Sequence, residues 1–452
     1  MVFADKYASA VARLNAGCCA ERLAAARELA AGVACGDITL PVRTVEVNNH
    51  VHTCYSFSPY SPTAAAWEAL SAGLQAVGIM DHDSVAGVDE MLAAGAIFGI
   101  ATTAGFEVRV RMDDTPFAGR ALNGPGLTGI AYIAIHGIPA PMVPRCAAFL
   151  RPVNTARNAR NRAMVARLNE LLAAQGIPEI DFDADVYAKS YAAEGGSITE
   201  RHILAALSQK LIDLCGPGAA LVTLLEEKLK LELPGKIRHF LLDTANPHYL
   251  YDLLGVLKSS YTDAFFIDPG PEECPEVRAA LALAEEIGAI SAYAYLGDVT
   301  ESPTGDKKAE KFEDEFLDEL IVCLRELGFR AITYMPPRNT PAQLDRIRTL
   351  CENNGLLQIS GVDINSSRQS FNCPEILDPR HAGLISATWA LIGHEKLASV
   401  APSYGFFQPM VISRYPALAD RLLAFAAVGM ALDQHQPRIM PAAAKNIGYQ
   451  PC

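Results

Sequence analysis

The chain has 452 residues, half of them hydrophobic and a fifth charged, and it carries a formal net charge of -13. This is the composition of a folded globular protein, long enough for one large decorated core or two to three domains, and it excludes a disordered chain. The acidic balance leaves no basic stripe for a long nucleic-acid backbone, and no apolar run is long enough to cross a membrane.

Residues 5–35 read as one or two Ala-rich helices, with "AERLAAARELAAGV" the clearest. Charges beginning at Asp5 interrupt what a secretory leader would need, so a cytoplasmic protein is expected. Eleven cysteines are scattered without CxxC pairs, the pattern of reduced thiols and not of a zinc finger or disulfide framework. "TVEVNN" is strand-like and runs into His50 and His52. Side chains at i and i+2 of a strand share a face, so these imidazoles project together and make half of a metal site.

An alternation follows. "SPTAAAWEALSAGL" is helical, and "QAVGIM" is an apolar strand ending at Asp81, His82 and Asp83. "VDEMLAAGAIFG" is helical, "IATTAGFEV" carries Glu107, and "LTGIAYIAI" is a strand ending at His136. Such alternation implies an α/β fold with mostly parallel strands. From about 145 to 265 the pattern is helical throughout, as an insertion or cap. The alternation resumes with the strands "AISAYAYLGD", "FRAITYMP" and "LLQISGVDIN", each after a helix, and the tail from about 382 is helical. The charged run at 305–319 reads as a loop entering a solvated helix face. Nearly every strand ends in a ligand-capable residue, among them Asp298 and Asp363. In a closed parallel β/α barrel these ends would gather on one rim.

The order HxHT…YSxSP at 50–59, DHDSxxG from Asp81, "GFE" at 105–107, a strand-terminal His, "RHI" at 201–203 and "GVDIN" at 361–365 resembles the PHP (polymerase and histidinol phosphatase) superfamily. The resemblance covers roughly 45 to 370 and is nearest to the stand-alone metal-dependent phosphoesterases. It implies a distorted seven-stranded, TIM-like β/α barrel with divalent metals at the carboxyl rim. The expected layout is an N-terminal helical extension at 1–42, barrel segments at 43–144 and 266–380, the helical insertion at 145–265 and a C-terminal extension at 381–452. By the same resemblance His50, His52, Glu107 and Asp363 hold a first metal, and Glu107, His136 and His202 a second. A third site would need an Asp five residues after His52, the His of the DH pair and the His of a terminal DxH. Here those positions read Phe57, His82 and Asn365, so the third site is expected to be empty or severely weakened. The strand that ends Ala-His-Pro in relatives has Tyr295 near the His position, with Asp298 just beyond as a possible replacement ligand.

Imidazole and carboxylate ligands without thiolate suit Mn, Fe, Zn or Mg, two ions per chain by this pattern. Two ions bridged by Glu107 can share a hydroxide, since metals lower a water's pKa from about 16 toward about 7. His82 would serve as general acid or as a hydrogen-bonding neighbour, and Asp81 would orient an imidazole. Arg201 and Arg160 are the candidates for gripping phosphate, because a guanidinium fork matches its oxygens. The expected activity is hydrolysis of a small phosphorylated molecule, a phosphomonoester or nucleotide. Cleavage of short oligonucleotides and a non-catalytic metal- or ligand-binding role are the alternatives. The apolar terminal helices make a homodimer plausible.

Overall fold

The computed structural model describes residues 2–3, 5–123, 126–298 and 311–450. The start of the charged run at 305–319 lies outside them. Seven strands form one sheet in sequence order: β1 (Val47–Val51), β2 (Ala76–His82), β3 (Ala101–Arg111), β4 (Ile130–His136), β5 (Ile290–Tyr295), β6 (Ala331–Tyr334) and β7 (Leu357–Ser360). All neighbours are parallel except at β4, which runs against both β3 and β5. The reason lies in the connection. A parallel neighbour needs a crossover, usually a helix, whereas "MDDTPFAGRALNGPGLTG" between β3 and β4 is rich in Gly, Pro and Asp and holds no helix among its described residues.

The sheet curls until its edges meet. Val51 bridges Ile364 in parallel, with the His52 N–H donating to the Ile364 carbonyl at 3.0 Å and the Ile364 N–H donating to the His50 carbonyl at 3.2 Å. The interior below the rim is apolar. Met80, Ala134, Ala292, Ala331 and Ile359 pack on Ala387, Ala390 and Leu391 of the helix Ala382–Val400, which plugs the barrel from beneath.

Helices cover the outside because each has an apolar stripe and sharp ends. Pro62–Ser71 starts at Ser61, whose side chain accepts from the Ala64 N–H, with Pro62 in the first turn. Pro341–Asn354 starts with a capping box between Thr340 and Gln343 and stops at Gly355, whose φ of +65° suits a residue without Cβ. Trp67, fully buried, packs on Phe98 of the helix Val88–Phe98. The N-terminal helix Cys19–Ala34 is fixed by a buried fork, Arg22 Nε to Glu90 Oε1 at 2.8 Å and Nη2 to Oε2 at 2.5 Å. Breaking a buried pair from one side costs about 3–5 kcal/mol, so this contact, and not the exposed Lys6–Asp37 pair, holds the extension.

Residues 143–267 are helical, beginning with the 31-residue helix Val143–Ala173. They build a hydrophobic cluster of their own around Leu168, Leu207, Leu225, Leu253 and Phe265. No helix among the described residues is long and apolar enough to cross a membrane.

Closure of the sheet depends on Gly361. A Cβ there would stand 2.4 Å from the His50 Cβ and 2.7 Å from its backbone nitrogen. Gly361→Ala should therefore push β1 from β7 and lower stability by about 1–3 kcal/mol, the usual cost of overpacking. Urea unfolding that shows no change would mean that the seam yields freely.

Candidate metal centre and substrate pocket

Three strands and the seam deliver five side chains to one point. His50 and His52 come from the end of β1 and the residue after it. His82 ends β2 and sits beside Glu107 in register on β3. Asp363 comes from the segment that closes the sheet. The Glu107 carboxylate lies 3.1 Å from His50 Nε2, 3.2 Å from His82 Nδ1 and 4.0 Å from His52 Nε2, and Asp363 Oδ1 lies 3.2 Å from His52 Nε2. The His52 and His82 rings stack at 4.4 Å.

The charges in this group are set by burial against proximity. Burial disfavours the His50 imidazolium, but the Glu107 charge and hydrogen bond outweigh it and raise the pKa to about 9. Burial and the neighbouring His52 hold His82 well below the ordinary histidine value. Burial also opposes the Asp363 carboxylate, yet His52 and His50 keep its pKa well below the usual range.

These residues suit a divalent cation. His50, His52 and Glu107 each offer a ligand atom within 4.8 Å of the others, and all three are buried. His52 Nε2 and His82 Nδ1 are buried without a hydrogen-bond partner, an arrangement whose cost a metal would remove. Nitrogen and oxygen donors without thiolate match Mn, Fe, Zn or Mg.

His136 ends β4, but β4 is reversed, so this residue sits opposite Gly105, on the same face as Glu107 and one rung below it, near enough to His50 for the two to act on each other. Its Nε2 is buried without a partner, and burial pushes its pKa down to about 3. His202 spends Nδ1 on the Thr199 N–H in the cap of the helix Glu200–Cys215, and its ring meets Phe57 at 5.0 Å. Asp298 is a helix cap: its Oδ1 accepts from the N–H groups of Phe312, Glu313 and Asp314. Asp81 is fully buried and does not line the cavity. It accepts from the Thr53 N–H, the Thr53 hydroxyl and the Ser56 hydroxyl, and Ser56 Oγ lies 3.4 Å from His52 Nδ1, so Asp81 braces an imidazole at one remove.

The two residues that depart from the expected motif have tasks of their own. Phe57, at a left-handed φ of +80°, packs on the helical cluster beside His202 and Tyr251. Asn365 donates to Asp363 Oδ1 at 2.6 Å and accepts from Arg201 at 2.6 Å, linking a ligand to a pocket cation.

Above the group opens a cavity of about 490 Å³. Arg201 lines it, as expected. Arg160 does not: it forks onto Glu273 and donates to the Ile267 carbonyl inside the protein. Arg109 lines it instead, two residues beyond Glu107 on the same face of β3, held by Glu273 at 3.3 Å and donating from Nε to Tyr132 Oη at 2.6 Å. The alternation in "FEVRVR" carried that signal. Tyr132 faces Arg109 across the β3–β4 ladder, a position visible only once β4 is known to be reversed. The helical segment contributes Glu200, Lys258 and Phe266 to the lining. Burial opposes the Glu200 charge, but Arg109 and Lys258 overcome it and bring its pKa to about 2.

No family model matches the chain. A 5'-3' exoribonuclease from Haemophilus influenzae is 25% identical over 159 residues, 35% of this chain and 49% of that protein, so the match spans about half the length of this curated relative. The chain is also similar to a Bifidobacterium adolescentis structure, provisionally assigned as a metal-dependent phosphoesterase, with a TM-score of 0.48 and 19% identity over 75% of this chain and 96% of that one. An amidohydrolase from Chromobacterium violaceum, with sulfate bound and no metal, gives 0.46 and 19% over 73% and 90%.

A pH dependence follows from His50. Without an ion its folded pKa of about 9 lies above the ordinary 6.5. The pairing with Glu107 thus adds stability that is full below pH 6.5 and lost as pH rises through about 9. A cation needs the neutral ring, so Mn²⁺ affinity measured by calorimetry should strengthen across the same window with proton release. A flat profile would remove His50 from the ligand set.

Proposed function

We propose that the chain is a divalent-metal-dependent hydrolase of phosphate esters, acting on a small phosphorylated molecule. One observation carries this reading: a buried His/His/Glu group, joined by His82 and Asp363, floors a cavity lined by Arg109, Arg201 and Lys258.

His50, His52, Glu107 and Asp363 would hold the ion, with His82 beside them. When bound, such an ion supplies a Lewis acid for phosphoryl oxygens and makes water nucleophilic near neutral pH. The chain's own residues do the rest. His82, kept neutral by burial and by His52, is suited to donating a lone pair and not to acting as an acid. Arg201, steadied by Asn365, and Arg109, steadied by Glu273, present N–H groups where phosphate oxygens would lie. Tyr295, Tyr334 and Phe266 give the organic part of the substrate an apolar wall. The helical segment 143–267, through Phe266, supplies one side of that wall and so would choose the substrate. An ion count of two per chain is part of this proposal, and a second ion would draw on Glu107 and on the unpartnered Nε2 of buried His136.

A second reading has its own support: the exoribonuclease relative favours cleavage of short oligonucleotides. Inorganic phosphate from monoesters, with oligomers left intact, identifies a phosphatase. Nucleotides released from an oligomer identify a nuclease. Metal bound without turnover of either would leave a binding module.

Glu107→Ala should lose most of the metal by elemental analysis and at least 100-fold in rate, by the roughly 10–100-fold cost of weaker metal-site changes. Arg201→Ala should raise KM about tenfold or more, since a hydrogen bond to a charged group contributes about 1.5–3 kcal/mol. Arg160→Met should lower the thermal midpoint and leave KM unchanged. A KM increase in Arg160→Met equal to that in Arg201→Ala would contradict the placement of the two guanidiniums.

A further inference from the structure

We infer that Tyr132 contacts the leaving oxygen of the substrate and donates its O–H to it as the ester bond breaks. This rests on the phosphate-ester reading and adds a catalytic residue to it.

Position comes first. Glu107 pairs with Ala134 across the β3–β4 ladder, and Arg109 pairs with Tyr132. Directly paired residues share a face, so Tyr132 points to the same side as Glu107, one rung nearer the mouth, roughly 7 Å along the strand. Its ring lies 5.5 Å from that of His82, and it lines the cavity while remaining partly exposed.

Hydrogen bonding comes second. A phenol has one O–H to give and lone pairs to receive. Arg109 Nε fills one lone pair at 2.6 Å, and Glu273 holds the other end of that guanidinium. The hydroxyl is thereby fixed in place, with its proton still to be donated. A charged donor on the oxygen also makes the O–H a stronger donor, because hydrogen bonds in a chain polarise one another.

In-line displacement at phosphorus puts the attacking and leaving oxygens on opposite sides. The ligand-bearing side chains form the floor, so water attacks from below and the leaving oxygen faces the next rung up. The phosphorus–oxygen ester bond breaks and its electron pair stays on the leaving oxygen, where the Tyr132 O–H meets the charge. One water is consumed: its oxygen joins phosphorus and it releases a proton to solvent, the alcohol oxygen takes one proton from solvent, and Tyr132 keeps its own, acting as a hydrogen-bond donor throughout.

The test compares leaving groups with full-length Mn²⁺-loaded protein. Tyr132→Phe should reduce kcat on glycerol 2-phosphate roughly 100- to 1000-fold, the range for losing one oxyanion donor. On p-nitrophenyl phosphate, whose leaving oxygen is stable as an anion, the loss should stay below about tenfold, because little charge needs a donor. Tyr132→Gln, which restores an N–H donor, should recover part of the glycerol 2-phosphate rate. Equal losses on both esters, no loss on either, or reduced metal content in Tyr132→Phe would overturn the assignment. If the unmodified protein hydrolyses neither ester, the phosphate-ester reading itself fails, a result visible before any variant is made.

Discussion

The seam between β1 and the segment after β7 is the constraint on which the site depends. Two backbone hydrogen bonds between His50, His52 and Ile364 close the sheet, and they carry Asp363 to His52. Without closure, the histidines and the second carboxylate would sit at opposite edges of an open sheet. Closure also creates the interior, where water is excluded and a carboxylate among imidazoles interacts more strongly than it would at a surface. The close approach of Gly361 to His50 is the steric form of the same constraint: the seam is narrow because only hydrogen occupies that position.

The pocket's electrostatics explain how an acidic protein can attract an anion. Among the described residues lining the cavity, four arginine and lysine side chains face five carboxylates. With the His50 imidazolium these charges balance in the ion-free pocket, and one divalent ion on the floor, displacing that proton, would tip the balance to net positive. Metal binding and phosphate binding are therefore coupled by charge alone, and a cation-free pocket should hold phosphate poorly. Glu273 serves the same end from within. Burial works against its charge, but Arg157, Arg160 and Arg109 hold its carboxyl below the usual range, so it stays ionised and keeps Arg109 in place.

Much of this was legible from the residues alone. The i, i+2 histidines, the DHD strand end, Glu107 and the GVDIN segment mark the rim because strand periodicity fixes which side chains share a face. Strand direction was not legible in the same way. Treating β4 as parallel sends His136 to the rim, whereas its Gly- and Pro-rich approach reverses it and brings Tyr132 there instead. Arg160 and Arg109 show a second limit. Both meet Glu273, more than a hundred residues from each, but Arg160 spends two nitrogens on it inside the protein, whereas Arg109 gives it one and keeps Nε for Tyr132 at the cavity. Asp298 shows a third, since a carboxylate that accepts three backbone N–H groups has the same one-letter code as one that binds a metal.

The helical segment is tied to the rim at several independent points. Arg157 of the helix Val143–Ala173 meets Asp83 at 2.7 Å, one residue beyond His82, and Asn154 donates to the Asp83 carbonyl. Arg368, near the seam, forks onto Asp252 and lies over the Phe240 ring, and His248 Nδ1 lies 2.8 Å from Ser367 Oγ. The Tyr191 ring meets that of Tyr55, in the first motif loop, at 5.1 Å and a tilt of 53°. One of these contacts, Arg157–Asp83, is a buried ion pair, which gains little over apolar packing but costs several kcal/mol to break from one side. The effect of all these contacts is to fix orientation. Lys258 and Phe266, carried by this segment, are thus held in register with Arg109 and Arg201, and the mouth keeps one shape. Under the phosphate-ester reading, selectivity would come from the placement of those four side chains.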